Sequence, residues 1–414
     1  MARYLSRPIK TVLVRALRLI GNTGTTARHQ RSSRSALIFK TSATGPQGAI
    51  NLALQGGGAH GAYTWGVLEA LSDVKGLHID AISGASAGAM NAVVFANGYA
   101  RGGPVLAASA LHDFWQDVSQ SSRSIFSNDS HSEASVLRGI ETVTRFASPY
   151  QFNPLGYNPM RALLEKHVDF DLFRRPDAIS LFIAATNVAT GECRIFTNAE
   201  LTVDVVLASA CLPQFHQAVE INNEHYWDGG FSSNPPILPL LEQSHARDTI
   251  VVQIIPNRES GVPTDVRGIV ARHSRMAFTS PLRREIREIR RLQSLARDGF
   301  SVGGHMRSRT TNHRFHLINA PDLTAKFGKT SAINPNWQRL QLMHESGYDD
   351  AGDWLFEHGP FVGRKSTVDL SSAFLPDDEE RLDAGFEAAP RKGARDERSL
   401  RGAWHRAKMA VGSD

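Results

Sequence analysis

Ser86 stands at the centre of Gly84-Ala85-Ser86-Ala87-Gly88, a GxSxG frame. Residues of these types at this spacing suit nucleophilic catalysis. A serine at a sharp strand-to-helix turn is held in a strained backbone and offered to a substrate, and glycines two before and two after let strand and helix crowd together. A serine hydroxyl needs a base, and Asp228 of Asp228-Gly229-Gly230 is a second residue apt for chemistry. It closes the segment His225-Tyr226-Trp227 as an aspartate at a strand end, where the two glycines admit another backbone. The third group is Gly56-Gly57-Gly58-Ala59-His60-Gly61. Successive N–H groups of a glycine turn at a helix start suit an anion, either a phosphate or a tetrahedral oxyanion. In a chain with 34 glycines, GxSxG alone is equally compatible with an ordinary loop, so the weight lies on the three together.

Regular elements must hold these groups. Residues 50–54 read as a short buried strand that runs into the glycine turn, and residues 62–71 as the helix after it. Residues 77–82 are the strand before Ser86, and a buried helix follows from Ala87 to about Asn97, where Gly98 would stop it. The uncharged run 81–100 contains Ser83, Ser86, Asn91, Asn97 and several glycines, which disqualifies it as a membrane span. Residues 105–118 form an amphipathic helix, and the serine-rich residues 119–135 are either a surface loop or a lid. Residues 158–167 look like a proline-started helix, 179–188 and 192–197 a hairpin, 205–213 a short helix stopped by Pro213, and 250–256 a central parallel strand. Cys211 reads as a small buried apolar residue, and His216 is a loop histidine that a Ser-His-Asp triad would recruit.

The order of the three motifs is far more specific than any one of them, and in that order they resemble the patatin-like phospholipase family. The resemblance covers roughly residues 48–258. It implies a three-layer α/β/α fold with a central, mostly parallel sheet and a helical C-terminal extension. It further implies a serine lipid acyl hydrolase of phospholipase A or esterase type, using a Ser-Asp dyad and an acyl-serine intermediate. Carried over by position, Ser86 is the nucleophile, Asp228 the proton acceptor, and Gly84 and Gly88 the nucleophile elbow. Gly56, Gly57, Gly58 and Gly61 form the glycine-rich motif, with the Gly57 and Gly58 amides as oxyanion hole, and Gly229 and Gly230 complete the aspartate motif. The resemblance implies no metal and no cofactor, calcium independence, and a phospholipid or another acyl-ester lipid as substrate. Two positions depart from the family pattern: His60 stands where Arg or Lys is usual, and Gln55 where Asp or Gly is common. Alternatives within the same fold are an acyltransferase, a polyester hydrolase, and a non-catalytic membrane-associated adaptor. The glycine turn also matches GxGxxG, and Asp80 lies at about the distance of the acidic residue of a dinucleotide site; a strained serine four residues later has no use there.

Composition frames the rest. A chain of 414 residues with 41% hydrophobic content has ample material for a core. Its two cysteines, Cys193 and Cys211, supply no disulfide framework, and no HExxH or CxxC pattern argues for zinc. The formal charge of +5 is uneven: residues 1–68 contain no Asp or Glu. This basic leader, taken as residues 1–46, contains a short stretch, 11–20, interrupted by Arg15 and Arg18, unlike a secretory signal; an organellar presequence, an interfacial anchor or a disordered leader fits it better. Basic residues without interleaved aromatics do not suit nucleic acid. The expectation is a cytoplasmic protein, with peripheral contact to an anionic membrane as an option; oligomeric state is left open. Beyond the catalytic domain, 259–360 reads as a helical extension. It includes an amphipathic helix over 282–295 whose outer face carries Arg283, Arg284, Arg287, Arg290, Arg291 and Arg297 against Glu285, Glu288 and Asp298. Residues 313–318 read as a last strand, 336–358 as a last helix packing Trp337, Leu340, Met343 and Trp354, and 361–414 as a mostly disordered charged tail.

Overall fold

The computed structural model describes residues 48–122, 139, 142–144, 146–259, 261–297, 309–328 and 331–375. Short apolar runs rich in Ile, Leu, Val and Ala make the central strands, buried on both faces, and among the described residues eight strands join in one sheet. These are β1 (Gly48–Leu54), β2 (Leu77–Gly84), β3 (Ser180–Asn187), β4 (Cys193–Thr197), β5 (Val219–Ile221), β6 (Glu224–Asp228), β7 (Asp248–Gln253) and β8 (Arg314–Asn319). Strands β3, β2, β1, β7 and β8 lie side by side in that order and run parallel. Strand β4 returns antiparallel along β3, and the β5–β6 hairpin adds antiparallel strands. Helices α1 (Gly61–Ser72), α2 (Ala87–Ser122), α3 (Pro149–Phe152), α4 (Pro159–His167), α5 (Val203–Ser209), α6 (Leu238–Gln243), α7 (Val266–Arg297), α8 (Leu323–Phe327) and α9 (Trp337–His358) flank or extend this sheet. The result is a mostly parallel α/β/α sandwich followed by a helical extension. None of the described helices is long and apolar enough to cross a membrane.

The register on β3 positions the chemistry. Phe182 and Ile183 pair with β4 on one side and with Ser83 and Gly84 of β2 on the other. Ala185 and Thr186 still pair with β4, but opposite it they pair with Asp228 and Trp227 of β6. A strand has only two edges, so β2 and β6 occupy the same edge of β3 in succession. Strand β2 runs parallel to β3 and β6 antiparallel to it, so their C-terminal ends, Gly84 and Asp228, point at each other.

The extension is tied closely to this core. Helix α9 crosses α1 at two glycines: a Cβ on Gly66 would lie 2.0 Å from the His344 carbonyl oxygen, and one on Gly347 2.0 Å from that of Tyr63. The two backbones therefore touch, and Leu340, Met343, Ala351 and Leu355 of α9 join the buried cluster that holds Leu68 and Leu71 of α1.

Several expectations change. Gly98 does not stop a helix. It lies inside α2, which is interrupted instead at Gly102 and Gly103 (φ 178° and 75°). A Cβ on Gly98 would lie 2.7 Å from the Ala107 Cα, so it is where the two halves of α2 pack on each other. The arginine-rich helix is longer than its periodic apolar stretch and begins at Val266. Asp80 does not serve a nucleotide: it lies in the first half of β2, away from the glycine turn, and its Oδ2 accepts the His245 and Ala246 N–H groups (2.5 and 2.9 Å). Nor is the chain irregular from residue 361, because Gly363 N–H donates to Asp248 (2.8 Å) and Thr367 N–H to the Phe315 carbonyl (3.0 Å). The compact unit ends at Asp369, and a short helix α10 (Leu370–Phe374) belongs to a second unit. The basic leader, most of the serine-rich stretch (123–138) and residues 376–414 lie outside the described residues.

Two glycines of α9 test the helix crossing in opposite directions. Gly347→Ala forces a methyl into the Tyr63 backbone and should lower stability by about 2–3 kcal/mol. Gly352→Ala has open space around its Cβ and should raise it by about 0.5–1 kcal/mol through lost unfolded-state freedom. Chemical denaturation of the two variants beside the parent chain checks both signs.

Candidate active site

Ser86 occupies the left-handed region of backbone space, φ 54°. Among the described non-glycine residues only it, Asn222 and Asn223 have positive φ, and those two asparagines form the β5–β6 turn, where this conformation is cheap. At Ser86 it is strain, held by its surroundings. The Ser86 N–H points at Ser209, whose carbonyl and hydroxyl oxygens both lie 3.0 Å away at the end of α5. Gly88 N–H donates to the Ala85 carbonyl (2.8 Å) and Met90 N–H to that of Ser86 (3.1 Å), which starts α2 directly after the turn. Ser86 is 8% exposed.

Asp228 is fully buried. Its backbone is pinned by Cys211, whose carbonyl accepts its N–H (2.9 Å), and by the Thr186 hydroxyl, which donates to its carbonyl (2.7 Å). Gly229 follows immediately, and a Cβ there would sit 2.1 Å from the Ala184 carbonyl oxygen, so only glycine lets the chain turn away so close to β3. The Gly230 N–H then donates to Asp228 Oδ1 (2.7 Å), while Oδ2 is left without a formed hydrogen bond. Burial raises the carboxyl pKa from 3.8 to about 7, against the Gly230 amide and the nearby Ser86 hydroxyl, which favour the anion. The geometry therefore brings Ser86 beside Asp228, with the uncommitted Oδ2 available.

The glycine turn lies against the same point: a Cβ on Gly56 would be 2.7 Å from the Ser86 Cβ. Its amides are used unequally. Gly56 N–H donates to Asn234 Oδ1 (2.7 Å) and Ala59 N–H to the Ala332 carbonyl (2.8 Å), whereas none of the described residues accepts from Gly57 or Gly58 N–H. Two open donors thus lie between two occupied ones. Gly61 opens α1, and Gly84 ends β2 against Gly88.

The two departures from the family pattern have structural uses. Gln55 Oε1 accepts from both Ile254 and Ile255 N–H (2.8 Å each), joining the ends of β1 and β7. His60 is buried with Nε2 2.7 Å from the Ser331 hydroxyl, and burial pulls its pKa down to about 4, so it is neutral at pH 7. The positive charge in its neighbourhood is Arg339 of α9. His216 makes no ring hydrogen bond to Ser86 or Asp228, and Cys211 is buried with its thiol pushed up to about 12, first by burial and then by Asp228.

Three positioning residues escaped the sequence reading. Buried Asn234 ties the glycine turn to the segment after Asp228, and Ser209 grips the Ser86 amide. Glu285, expected on the solvated face of α7, turns inward: its Oε1 accepts the Ile237 and Leu238 N–H groups (2.6 Å each) and its Oε2 the Ser233 hydroxyl (3.1 Å). Burial raises its pKa against the pull of those amides.

A serine turn, a buried aspartate and a glycine turn meet at the C-terminal edge of a parallel sheet in an α/β protein. Residues 52–241 match the family model described as patatin-like phospholipase, so the chain carries a patatin-like phospholipase domain there, and lipid acyl hydrolysis is the activity at family level. The fold is also similar, distantly, to the crystal structure of VipD from Legionella pneumophila, with a TM-score of 0.32 and 14% identity over 84% of this chain and 76% of that one. No curated protein matches the chain.

The raised pKa of Asp228 has a consequence for stability. The folded protein keeps a proton on this carboxyl up to about pH 7, whereas the unfolded chain releases it near 3.8. Its contribution is therefore full below pH 3.8 and is lost as pH rises toward 7. Asp228→Asn removes that dependence. Relative to the parent, it should gain about 2–4 kcal/mol between pH 4 and pH 8, measured by urea unfolding at both pH values.

Proposed function

We propose that the protein is a serine lipid acyl hydrolase of phospholipase A or esterase type, with Ser86 as nucleophile and Asp228 as its proton acceptor. The observation that carries this reading is the pairing of a strained Ser86 with a buried carboxylate that has one uncommitted oxygen, next to two open backbone amides. The Ser86 hydroxyl attacks the acyl carbonyl carbon while its proton passes to Asp228 Oδ2, Oδ1 being held by Gly230 N–H. The carbonyl π pair moves onto oxygen, and the oxyanion is met by Gly57 and Gly58 N–H. One such donor is worth about 3–4 kcal/mol of barrier. Collapse breaks the ester C–O bond, the leaving alkoxide takes the proton from Asp228, and an acyl-serine remains. Water then attacks with Asp228 again as base, and the carboxylic acid departs with Ser86 restored.

A base with a pKa near 7 is well matched to this work at neutral pH, since it is ionised often enough to accept a proton yet basic enough to be driven by it. Burial therefore does for Asp228 what an intervening histidine does in a three-residue site. The substrate is a phospholipid or another acyl-ester lipid, as the family implies.

Hydrolysis of p-nitrophenyl butyrate and of a phospholipid panel tests the assignment. Ser86→Ala and Asp228→Asn should each reduce kcat/KM by about a thousandfold or more, with EDTA without effect on the parent. The parent kcat/KM should rise with pH along a limb centred near 7, where Asp228 ionises. Undiminished activity of Ser86→Ala would sink the assignment.

A further inference from the structure

We infer that the outward face of α7 is the surface by which the protein seats itself on an anionic bilayer, its first turns entering the leaflet and its arginines meeting lipid phosphate; this rests on the lipid-hydrolase reading above. Helix α7 is anchored by its inner face. Leu282, Ile286, Ile289 and Ala296 are buried, Phe278 packs on Gly230 and on the Phe231 ring (centroids 4.7 Å apart), and Glu285 holds the segment after Asp228. That anchoring turns the opposite face outward beside the very turn that carries Asp228.

The outward face has an unusual composition. Val262, just before the helix, and Val266, Ile269, Val270 and Met276 on it are between 50% and 87% exposed. From Val266 on, three- and four-residue steps run through Ile269, Val270, exposed His273 and Met276 and so form one stripe, which continues along the same line through Ser280 to Arg284, Arg287 and Arg291. Two cations of the first half, Arg272 and Arg275, are drawn off the stripe, both pairing with Glu259 (3.1 and 2.6 Å). The first three turns of the stripe are thus mainly apolar, with His273 as their exposed polar residue, and the rest is cationic, with Glu288 as its exposed acid among the described residues. Where the two halves meet, Phe231, Ala277, Ser280, Arg283, Arg284 and Arg287 line a hollow of about 480 Å³, room for a phosphate with its water.

Apolar and then cationic along one line is the order of acyl chain and phosphate across a leaflet. An inclined helix with its N-terminal turns deepest satisfies both, since eleven residues of helix span about 16 Å and an interfacial helix sinks about 5–10 Å. The arginines supply charge complementarity to an anionic surface and offer paired donors to phosphate.

The test uses the full chain carrying Ser86→Ala, so that vesicles are bound without being consumed, and sedimentation with vesicles of phosphatidylcholine alone or mixed with phosphatidylglycerol. Binding should require phosphatidylglycerol and fall with salt. Ile269→Asp/Val270→Asp should weaken it about tenfold, and Arg284→Glu/Arg287→Glu should abolish the preference for the anionic lipid. In an Ile269→Trp version, the emission added over that of the parent chain with its six tryptophans should shift to the blue on adding the mixed vesicles, a signal that the basic N-terminal residues cannot generate. Unchanged binding in both double variants, or no shift at residue 269, overturns the inference. So does a change of oligomeric state in Ile269→Asp/Val270→Asp, which would assign the stripe to a protein contact. With Ser86 present, p-nitrophenyl butyrate turnover is read separately: turnover without α7-dependent binding defeats only the docking surface, and α7-dependent binding without turnover defeats only the hydrolase reading.

Discussion

A carboxylate with no access to water and only one formed hydrogen bond is an expensive object, and the surroundings of Asp228 are organised around keeping it there. The cost falls on the charged form, so the group answers by binding its proton more tightly, and the same burial moves the titration of an ordinary acid toward neutrality. Burial alone would not bring the carboxylate to a serine. That follows from β3, whose one edge is shared by two strands arriving from opposite directions, so that Gly84 and Asp228 face each other across a short gap. The glycine after Asp228 lets the chain leave without colliding with β3, and the next amide turns back to hold Oδ1.

The glycine turn follows a similar economy. Of four successive amides, the outer two are taken by Asn234 and Ala332, and none of the described residues accepts from the inner two. A turn tethered at both ends needs no rearrangement when charge develops, which is the condition under which backbone donors stabilise an oxyanion well. Neutral His60 suits this arrangement, because a buried imidazolium at that point would have to be solvated at the expense of the turn.

Much of this was legible in the sequence because glycine is informative where backbones nearly touch. The turn at Gly56, the frame around Ser86 and the pair after Asp228 are places where any side chain would collide, and the strand runs around them are apolar enough to be read directly. What was not legible has a common cause. Glu285 sits among arginines at a spacing that suits a solvated face, and only the position of the Ile237 and Leu238 amides turns it inward. Asn234 and Ser209 are polar residues in polar or small-residue surroundings, and Ala332 contributes a carbonyl that every residue possesses. Gly98 carries the usual sign of a helix end but spends it on close packing, so the same residue type led to the right turn in one place and to a wrong boundary in another.

The brace supplied by Ala332 and Ser331 bears on what counts as a module. The family match ends at residue 241 and contains every motif residue, yet the atoms that shape the glycine turn and the aspartate turn from outside belong to Ile254, Phe278, Ser331 and Ala332. Heredity and mechanics therefore draw the border of this catalytic unit in different places. A piece of chain excised along the first border would hold every motif residue without the contacts that order them, and in this protein the segments after residue 241 are part of the instrument rather than its case.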